Sequence, residues 1–130
     1  MVALMDVRCR GIRGATTAED NTEPSILETT GELLRRLVSV NQIALEDIAA
    51  IYFTATSDLN ATFPARAARE MGYVNVPLMC SQEIEVLDAP ERCVRVLILV
   101  NTTKRSDQLT HLYLRGAAVL RRDLAVNRKT

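Results

Sequence analysis

The sequence predicts an α+β domain in which a mixed five-stranded sheet carries two main helices. Five segments have the composition or the alternation typical of strands, and two repeat apolar residues at helical spacing, in the order βαβαβββ. The fourth strand, residues 92–100, is apolar on both faces, which is typical of a strand covered on both sides. Because two helices cannot cover both faces of such a sheet, we expect an oligomer that buries the remaining face.

Length and composition place the chain among compact globular proteins. Its 130 residues predict a single domain over 1–130, with a mobile basic tail at about 124–130. Hydrophobic residues make up 48%, and 16 basic residues balance 16 acidic ones, so a disordered polyelectrolyte is excluded and no basic excess points to nucleic acid. No apolar run approaches the length needed to span a membrane, so we expect no membrane partner.

Cysteine and histidine content limits the possible chemistry. The three cysteines form no C-x-x-C pair and no signal peptide precedes them, which predicts a reduced, cytoplasmic protein. With a single histidine and no ligand spacing, neither a zinc site nor a Ser-His-Asp triad is supported. We therefore expect no metal site.

The first strand is predicted over residues 6–16 and contains two glycines. Gly11 and Gly14 flank Ile12 and Arg13. Glycine inside a strand is typical of a bulge or of a close approach to the backbone, and a bulge would change the direction of Arg13. A surface arginine in a bent edge strand explains the motif equally well.

The first helix has clear start signals and an apolar stripe. Asn21 or Thr22 can cap it, and Pro24 suits its first turn. The stripe at helical spacing comprises Ile26, Leu27, Leu33, Leu34, Leu37 and Val38. We interpret this helix as a packing element without chemistry.

A strand at about 49–56 and a polar loop at 54–60 lead to the second helix. Pro64 starts this helix, which runs through Arg69 and is ended by Gly72. Arg66 and Arg69 lie three residues apart and share a face. A solvated face is the default interpretation, and a rim of positive charge over an anion site is the functional one.

The third and fourth strands carry the most informative residues. Val74 to Cys80 alternate as a strand that delivers Glu83 to its end, and Arg95 lies in the fourth strand on the face of Cys93, Leu97 and Leu99. An arginine on a covered face is desolvated and requires an anion. Glu83 is the nearest candidate in the sequence.

The last strand, predicted over residues 109–114, adds a phenol to these charges. It carries Tyr113, with His111 as a structural histidine on the same face. Together Arg13, Glu83, Arg95 and Tyr113 predict a pocket for a small dianion that bears a hydroxyl group. Cys80 has no histidine near it in sequence, so we interpret it as a packed thiol rather than a nucleophile.

Five motifs in register resemble the monofunctional AroH-type chorismate mutases. They are residues 10–17, 55–65, 80–83, 93–95 and 111–113. The resemblance implies a pseudo α/β-barrel homotrimer with active sites between neighbouring subunits. It also implies the cofactor-free Claisen rearrangement of chorismate to prephenate in phenylalanine and tyrosine biosynthesis.

The resemblance further implies a role for each site residue. Arg95 donates to the ether oxygen, Arg13 with Tyr113 binds substrate carboxylate, and Glu83, with Cys80 close by, accepts from the ring hydroxyl. Phe63, Ala65, Leu78, Met79 and Leu120 correspond to the wall, and Arg66, Arg69 and Arg121 to the mouth. Arg66 stands where the family commonly has a lysine, and Met79 where a smaller or polar residue is usual.

Two other interpretations are compatible with parts of the pattern. A trimeric imine deaminase of the YjgF type, or a non-catalytic trimer that binds a small anion, has a similar architecture with an arginine in an intersubunit cleft. A purely structural subunit could hold Arg95 and Glu83 as a buried ion pair. The paired arginines with Glu83, and the motif at 10–17, favour the chorismate mutase.

Overall fold

The computed structural model describes residues 6–121, and these residues form one mixed sheet with two α-helices. The strands are β1 (Arg8–Thr17), β2 (Ile48–Ala55), β3 (Leu78–Gln82), β4 (Cys93–Thr102) and β5 (Leu112–Tyr113), and the helices are α1 (Glu23–Asn41) and α2 (Ala65–Glu70). Short 3₁₀ helices span Leu45–Asp47, Ser106–Gln108 and Arg115–Arg121. The predicted order βαβαβββ is confirmed, and the predicted tail at 124–130 lies outside the described residues.

The sheet has the order β3-β2-β4-β1-β5, with β4 at its centre. β4 runs antiparallel to both β1 and β2, while β3 is parallel to β2 and β5 is parallel to β1. The sheet is therefore mixed, as predicted. This order places the arginine of β4 between the strands that carry the other candidate residues.

The predicted start signal of α1 acts as expected, and a buried side chain fixes its end. The Thr22 hydroxyl accepts a hydrogen bond from the backbone N–H of Ser25 at 3.2 Å, which caps the helix start. At the far end, the buried Asn41 side chain donates to the carbonyl oxygens of Leu37 and Thr110, at 2.9 Å each. These bonds attach the end of α1 to the segment that precedes β5.

One face of the sheet packs against α1 and α2 and forms the main core. It presents alternate residues of each strand, and the largest of them are fully buried. The core contains Ile12, Leu33, Leu34, Leu37, Ile51, Phe53, Ala68, Val96, Ile98 and Val100. We call this surface the helix-covered face.

The other side of the sheet, here the open face, is only partly covered in the single chain. Tyr52 is 45% exposed and Met79 is 60% exposed, although both lie within strands. The 3₁₀ helix Arg115–Arg121 covers one end, where Ala15, Cys93 and Tyr113 are buried. The uneven cover agrees with the expectation that two helices cannot bury both faces.

The predicted bulge in β1 is wrong. All ten residues of β1 pair in continuous register with β4, and Arg13 lies opposite Leu97. The other reason for a glycine in a strand, a close approach to the backbone, applies instead at Gly14. There an added Cβ would lie 2.7 Å from Leu37 Cδ1 and 3.1 Å from Leu33 Cδ1. β1 is also not an edge strand, because β5 pairs with its other side.

Two predicted strands are shorter than the sequence pattern indicates. β3 begins at Leu78 because residues 74–77 form a turn, and β5 covers only Leu112 and Tyr113. Residues 106–108, just before the predicted last strand, form a 3₁₀ turn. Alternation alone did not separate a strand from an extended loop at these ends.

Candidate active site

A row of five residues crosses the open face and joins all five strands. Arg95 of β4 lies opposite Ala15 of β1 and Thr54 of β2, and these pair in turn with Tyr113 of β5 and Ser81 of β3. Because directly opposite residues share a face, Tyr113 and Thr54 lie on either side of Arg95. The strand register thus brings into one row Thr54 and Tyr113, which are 59 positions apart in the chain.

Arg95 and Glu83 form the ion pair that the sequence predicts. Arg95 Nε lies 3.3 Å from Glu83 Oε2, and Thr54 Oγ1 donates a hydrogen bond to the same oxygen. Glu83 is held at the end of β3 by its own backbone N–H, which donates to the Ala55 carbonyl at 2.9 Å. The sequence did not point to Thr54, because only the strand register places it beside Glu83.

The expectation that Arg95 is desolvated is wrong for the single chain. Its side chain is 45% exposed, whereas that of Glu83 is 19% exposed. The cause is the open face itself, because residues 6–121 place no layer of protein over the centre of β4 there. The guanidinium is therefore available to a ligand or to a second copy of the chain.

Arg13 lies on the same open face, one row from Arg95. Its backbone N–H donates to Nδ1 of His111 at 3.0 Å, a structural role for that histidine. Among residues 6–121 the Arg13 guanidinium has no hydrogen-bond or ion-pair partner. An exposed and unpaired guanidinium beside a second one is suited to a carboxylate or phosphate ligand.

The Cys93 thiol lies beneath Arg95 and is kept neutral. Burial raises the pKa of this thiol to about 11, although the charge and hydrogen bond of Arg95 act in the opposite direction. Glu83 raises the same pKa further. Cys93 is therefore a poor nucleophile at neutral pH and serves as packing under the ion pair.

A hollow of about 700 Å³ opens beside Arg95 and Glu83. Its lining residues are Thr56, Glu83, Ile84, Val86, Leu87, Asp88, Ala89, Pro90, Cys93, Arg95, Val119 and Leu120. The floor is charged, while the loop after Glu83 and the final 3₁₀ helix contribute apolar side chains. We call this the Arg95 hollow.

A second hollow of about 510 Å³ lies at the β3 edge of the sheet, and we call it the edge hollow. It is lined by residues 55–57, 59–64 and 80–82, which include Phe63 and Cys80. Phe63 is 67% exposed, so an aromatic ring stands unpacked at its rim. Ala65, at the start of α2, is buried beneath this rim.

Cys80 belongs to the helix-covered face, with Leu78, and both pack against the main core. Burial raises the pKa of the Cys80 thiol, while a hydrogen bond with the Ala65 backbone and the charge of Arg69 act against that shift. Cys80 is therefore a packed thiol, as predicted. Met79 points to the opposite, open face, since neighbouring strand residues alternate.

The predicted arginines of the mouth differ in their partners. Arg66 pairs with Glu23 at 3.0 Å and with Glu70 at 2.9 Å, so much of its charge is already neutralised. Arg69 is exposed and near Cys80. Arg121, at the end of the last 3₁₀ helix, is half-buried.

The predicted site residues thus fall into two groups that one chain does not bring together. Arg13, Glu83, Arg95, Tyr113, Leu120 and Arg121 belong to the open face and to the segment that covers its end. Phe63, Ala65, Arg66, Arg69, Leu78 and Cys80 belong to β3, to α2 or to the loop before it, whereas Met79 of β3 points to the open face. Cys80 packs against the main core, and Glu83, three residues further on, pairs with Arg95 on the open face. The expectation that the two contact the same substrate group stays a prediction.

Within residues 6–121, no group of three or more histidine, cysteine, aspartate or glutamate side chains could hold a metal ion. Over the same residues, no helix is both long and apolar enough to cross a membrane.

A family model, two curated relatives and a solved structure all indicate the same family. The family model of chorismate mutase type I matches residues 9–124. The chain is 43% identical over 122 residues to chorismate mutase AroH of Bacillus subtilis, covering 93% of this chain and 96% of that protein. It is 46% identical over 116 residues to chorismate mutase AroH of Thermus thermophilus, covering 88% and 95%. Among solved structures, a chorismate mutase from Clostridium thermocellum is 46% identical, with a TM-score of 0.83, over 85% of this chain and 98% of that one.

Proposed function

The chain belongs to the chorismate mutase type I family and rearranges chorismate to prephenate, and we propose that Arg95, Glu83 and Arg13 supply the charges for this reaction. The observation that carries the proposal is the open face, where Glu83 holds Arg95 beside Arg13, whose guanidinium has no partner among residues 6–121. The family match gives no support to an imine deaminase or to a non-catalytic anion-binding trimer.

The rearrangement is pericyclic and unimolecular, so it requires charge stabilisation rather than a nucleophile. As the ether bond breaks, negative charge develops on the ether oxygen. Arg95 donates to that oxygen, and because Glu83 already holds Arg95 Nε, little reorientation is needed when the charge appears. Donors fixed before the reaction stabilise the transition state more than the ground state.

The remaining open-face residues position the substrate. Arg13 and Tyr113 bind a substrate carboxylate and hold the enolpyruvyl arm over the ring, which limits the substrate to a reactive conformation. Glu83 Oε2 is occupied by Arg95 and Thr54, so Oε1 is the oxygen that accepts from the ring hydroxyl. Among the described residues, Oε1 has no hydrogen-bond partner of its own.

The second group of site residues completes the site from a neighbouring subunit. The edge hollow offers an aromatic rim at Phe63 and the Cys80 thiol, on which the charge of the exposed Arg69 acts, while the Arg95 hollow offers the fixed charges. We place the edge hollow of one subunit over the open face of the next, in a homotrimer. The exposed Tyr52 and Met79 support this packing, because apolar side chains on a strand face favour cover by protein.

The same proposal covers the arginines of the mouth, the pathway and the cellular compartment. Arg69 and Arg121 attract the dianionic substrate, and Arg66 contributes less because Glu23 and Glu70 neutralise it. We place the reaction in aromatic amino-acid biosynthesis, in the cytoplasm, on the basis of the family and the unpaired cysteines.

Mixing two inactive variants tests the shared site. Arg95→Ala removes the charge of the open face, and Arg69→Glu places a carboxylate at the edge hollow that repels the dianion. If sites form between subunits, the two variants unfolded, mixed and refolded together regain up to about a quarter of the wild-type sites, because a random trimer pairs intact halves at that frequency. Chorismate consumption is followed by its ultraviolet absorbance, with prephenate identified as the product.

Two controls make the mixing result decisive. Each variant refolded alone stays inactive, and sedimentation of the wild type reports a trimer. A stable monomer, or a mixture no more active than its components, contradicts the intersubunit site. Wild-type turnover of chorismate in the same assay keeps that outcome separate from any failure of the reaction itself.

A further inference from the structure

Thr54 lies on the open face and outside the five sequence motifs, and it has no role in the site described so far. It lies in β2 directly opposite Arg95, and its hydroxyl donates to Glu83 Oε2, the oxygen that Arg95 Nε also contacts. We propose that Thr54 is a positioning residue that fixes the Glu83 carboxylate and, through it, the guanidinium of Arg95. The proposal rests on the roles given above to Glu83 and Arg95.

The need for such a residue follows from the reach of Glu83. Its backbone is fixed by the bond from its N–H to the Ala55 carbonyl, but the carboxylate lies at the end of a flexible side chain. Among the described residues, only Arg95 and Thr54 contact its oxygens. Because the Arg95 side chain is 45% exposed, water competes with Glu83 for the guanidinium. The ion pair alone therefore holds the carboxylate only loosely.

The Thr54 hydroxyl supplies the rigid part of this arrangement. Its strand pairs with β4 on one side and β3 on the other, and a β-branched side chain has few rotamers. A hydroxyl fixed in this way determines which carboxylate oxygen faces the sheet and which faces the substrate. Because Thr54 and Arg95 Nε bind Oε2, the other oxygen, Oε1, accepts from the substrate. The terminal nitrogens of Arg95 then do not bind Glu83.

Two substitutions separate the hydroxyl from the shape of the side chain. Thr54→Val keeps the β-branched shape and loses the donor, and Thr54→Ser keeps the donor. We expect Thr54→Val to lower kcat by about tenfold or more, as for loss of a hydrogen bond to a charged group, with a smaller change in KM. Thr54→Ser stays within a few-fold of the wild type.

A double-mutant cycle distinguishes positioning from a general structural effect. In a Glu83→Ala background the Thr54 hydroxyl has no carboxylate to hold, so Thr54→Val causes no further loss of kcat. The matched control is Thr102→Val, which removes a hydroxyl about 23 Å along β4 from Arg95, where it accepts from the Lys104 N–H. This control keeps the wild-type kcat.

Each outcome of these experiments decides the proposal. A Thr54→Val enzyme within twofold of the wild type, or one that loses as much again in the Glu83→Ala background, overturns it. Circular dichroism confirms folding, and Thr54→Ala replaces the valine variant in the same cycle if valine does not fold. If Arg95→Ala is inactive while Thr54→Val is normal, only this inference fails. If Arg95→Ala keeps its activity, the proposed roles themselves fail.

Discussion

The two faces of the sheet are built from the same strands and have opposite characters. On the helix-covered face, Phe53, Val96 and Ile98 are at most 4% exposed. On the open face, the alternate residues Tyr52 and Arg95 remain accessible in the single chain. A period of two thus gives one strand both a stabilising and a functional surface, since each residue is assigned to one face only.

This division explains why polar residues are tolerated at the centre of the sheet. An arginine in the middle of a central strand is costly when both faces are closed by the same chain. Here the charge lies on the side that the chain leaves open, where it meets Glu83 and Thr54. Stability and catalysis can therefore be changed separately, and four experiments test how complete that separation is.

The largest expected effect is on stability, from the helix-covered face. Ile98→Ala leaves a cavity between β4 and the helices and lowers the free energy of unfolding by about 2–5 kcal/mol. Urea unfolding measures the change, and chorismate turnover of the folded fraction stays close to the wild type.

Leu97→Ala is the matched control, one residue away on the open face. Leu97 is only half-buried in the single chain, so in the proposed homotrimer its loss would act mainly on association between subunits. We expect sedimentation to show weaker assembly, and an unfolding midpoint that depends more strongly on protein concentration. Equal and concentration-independent losses from both variants would remove the distinction between the faces.

The next effect is on catalysis, from the open face. Arg95→Ala lowers kcat by about 10²–10³ or more, the cost of losing one donor to a developing oxyanion. The unfolding free energy changes little, because the ion pair with Glu83 is half-exposed. Arg36→Ala is the control, since Arg36 is an exposed arginine of α1 outside both hollows, and it leaves kcat unchanged. An Arg95→Ala enzyme within a few-fold of the wild type contradicts the assigned role.

The fold could be predicted from sequence because its signals are local. The cap at Thr22, the start of α2 at Pro64 and the alternation in β4 are each determined by nearby residues. The order of the strands and the extent of β5 depend on distant pairing and could not be obtained in this way. The irregular register lies in β2, between Ile48 and Ala50, where no glycine marked it.

The site was predicted only in part, and for a related reason. The pairing of Arg95 with Glu83 followed from the need of a charge for a partner, and the structure confirms it. Cys80 faces the main core and Glu83, just after β3, pairs with Arg95, so their common role in the site stays a prediction. Thr54 carried no signal at all before the register of β2 against β4 was known.

A smaller effect on stability comes from two glycines of the same strand. Gly14→Ala places a methyl group 2.7 Å from Leu37 Cδ1 on the helix-covered face, and overpacking lowers the unfolding free energy by about 1–3 kcal/mol. Gly11→Ala faces Leu97 Cδ1 at 3.4 Å, an ordinary contact, and changes the unfolding free energy by less than about 1 kcal/mol. Urea midpoints at neutral pH compare the two variants, and equal losses would show that β1 does not separate the faces.

The smallest effect concerns the end of the open face that the 3₁₀ helix Arg115–Arg121 covers. There Cys93 is buried under the last 3₁₀ helix, and burial raises the pKa of its thiol to about 11, against an ordinary value of 9.0. At a pH between these two pKa values, the unfolded chain releases the thiol proton and the folded chain keeps it. The thiol therefore stabilises the fold fully below pH 9, and this contribution is lost as the pH rises from 9 to 11.

Comparison of urea unfolding at pH 8 and pH 10.5 measures this contribution. Cys93→Ala loses less stability between the two pH values than the wild type does, whereas Cys9→Ser, a change at an exposed cysteine, loses as much as the wild type. An unchanged pH dependence in Cys93→Ala would mean that solvent reaches the thiol in the folded protein. The last 3₁₀ helix would then cover the open face only loosely, and the Arg95 hollow would depend on a neighbouring subunit for its cover at this end as well as at the centre of the sheet.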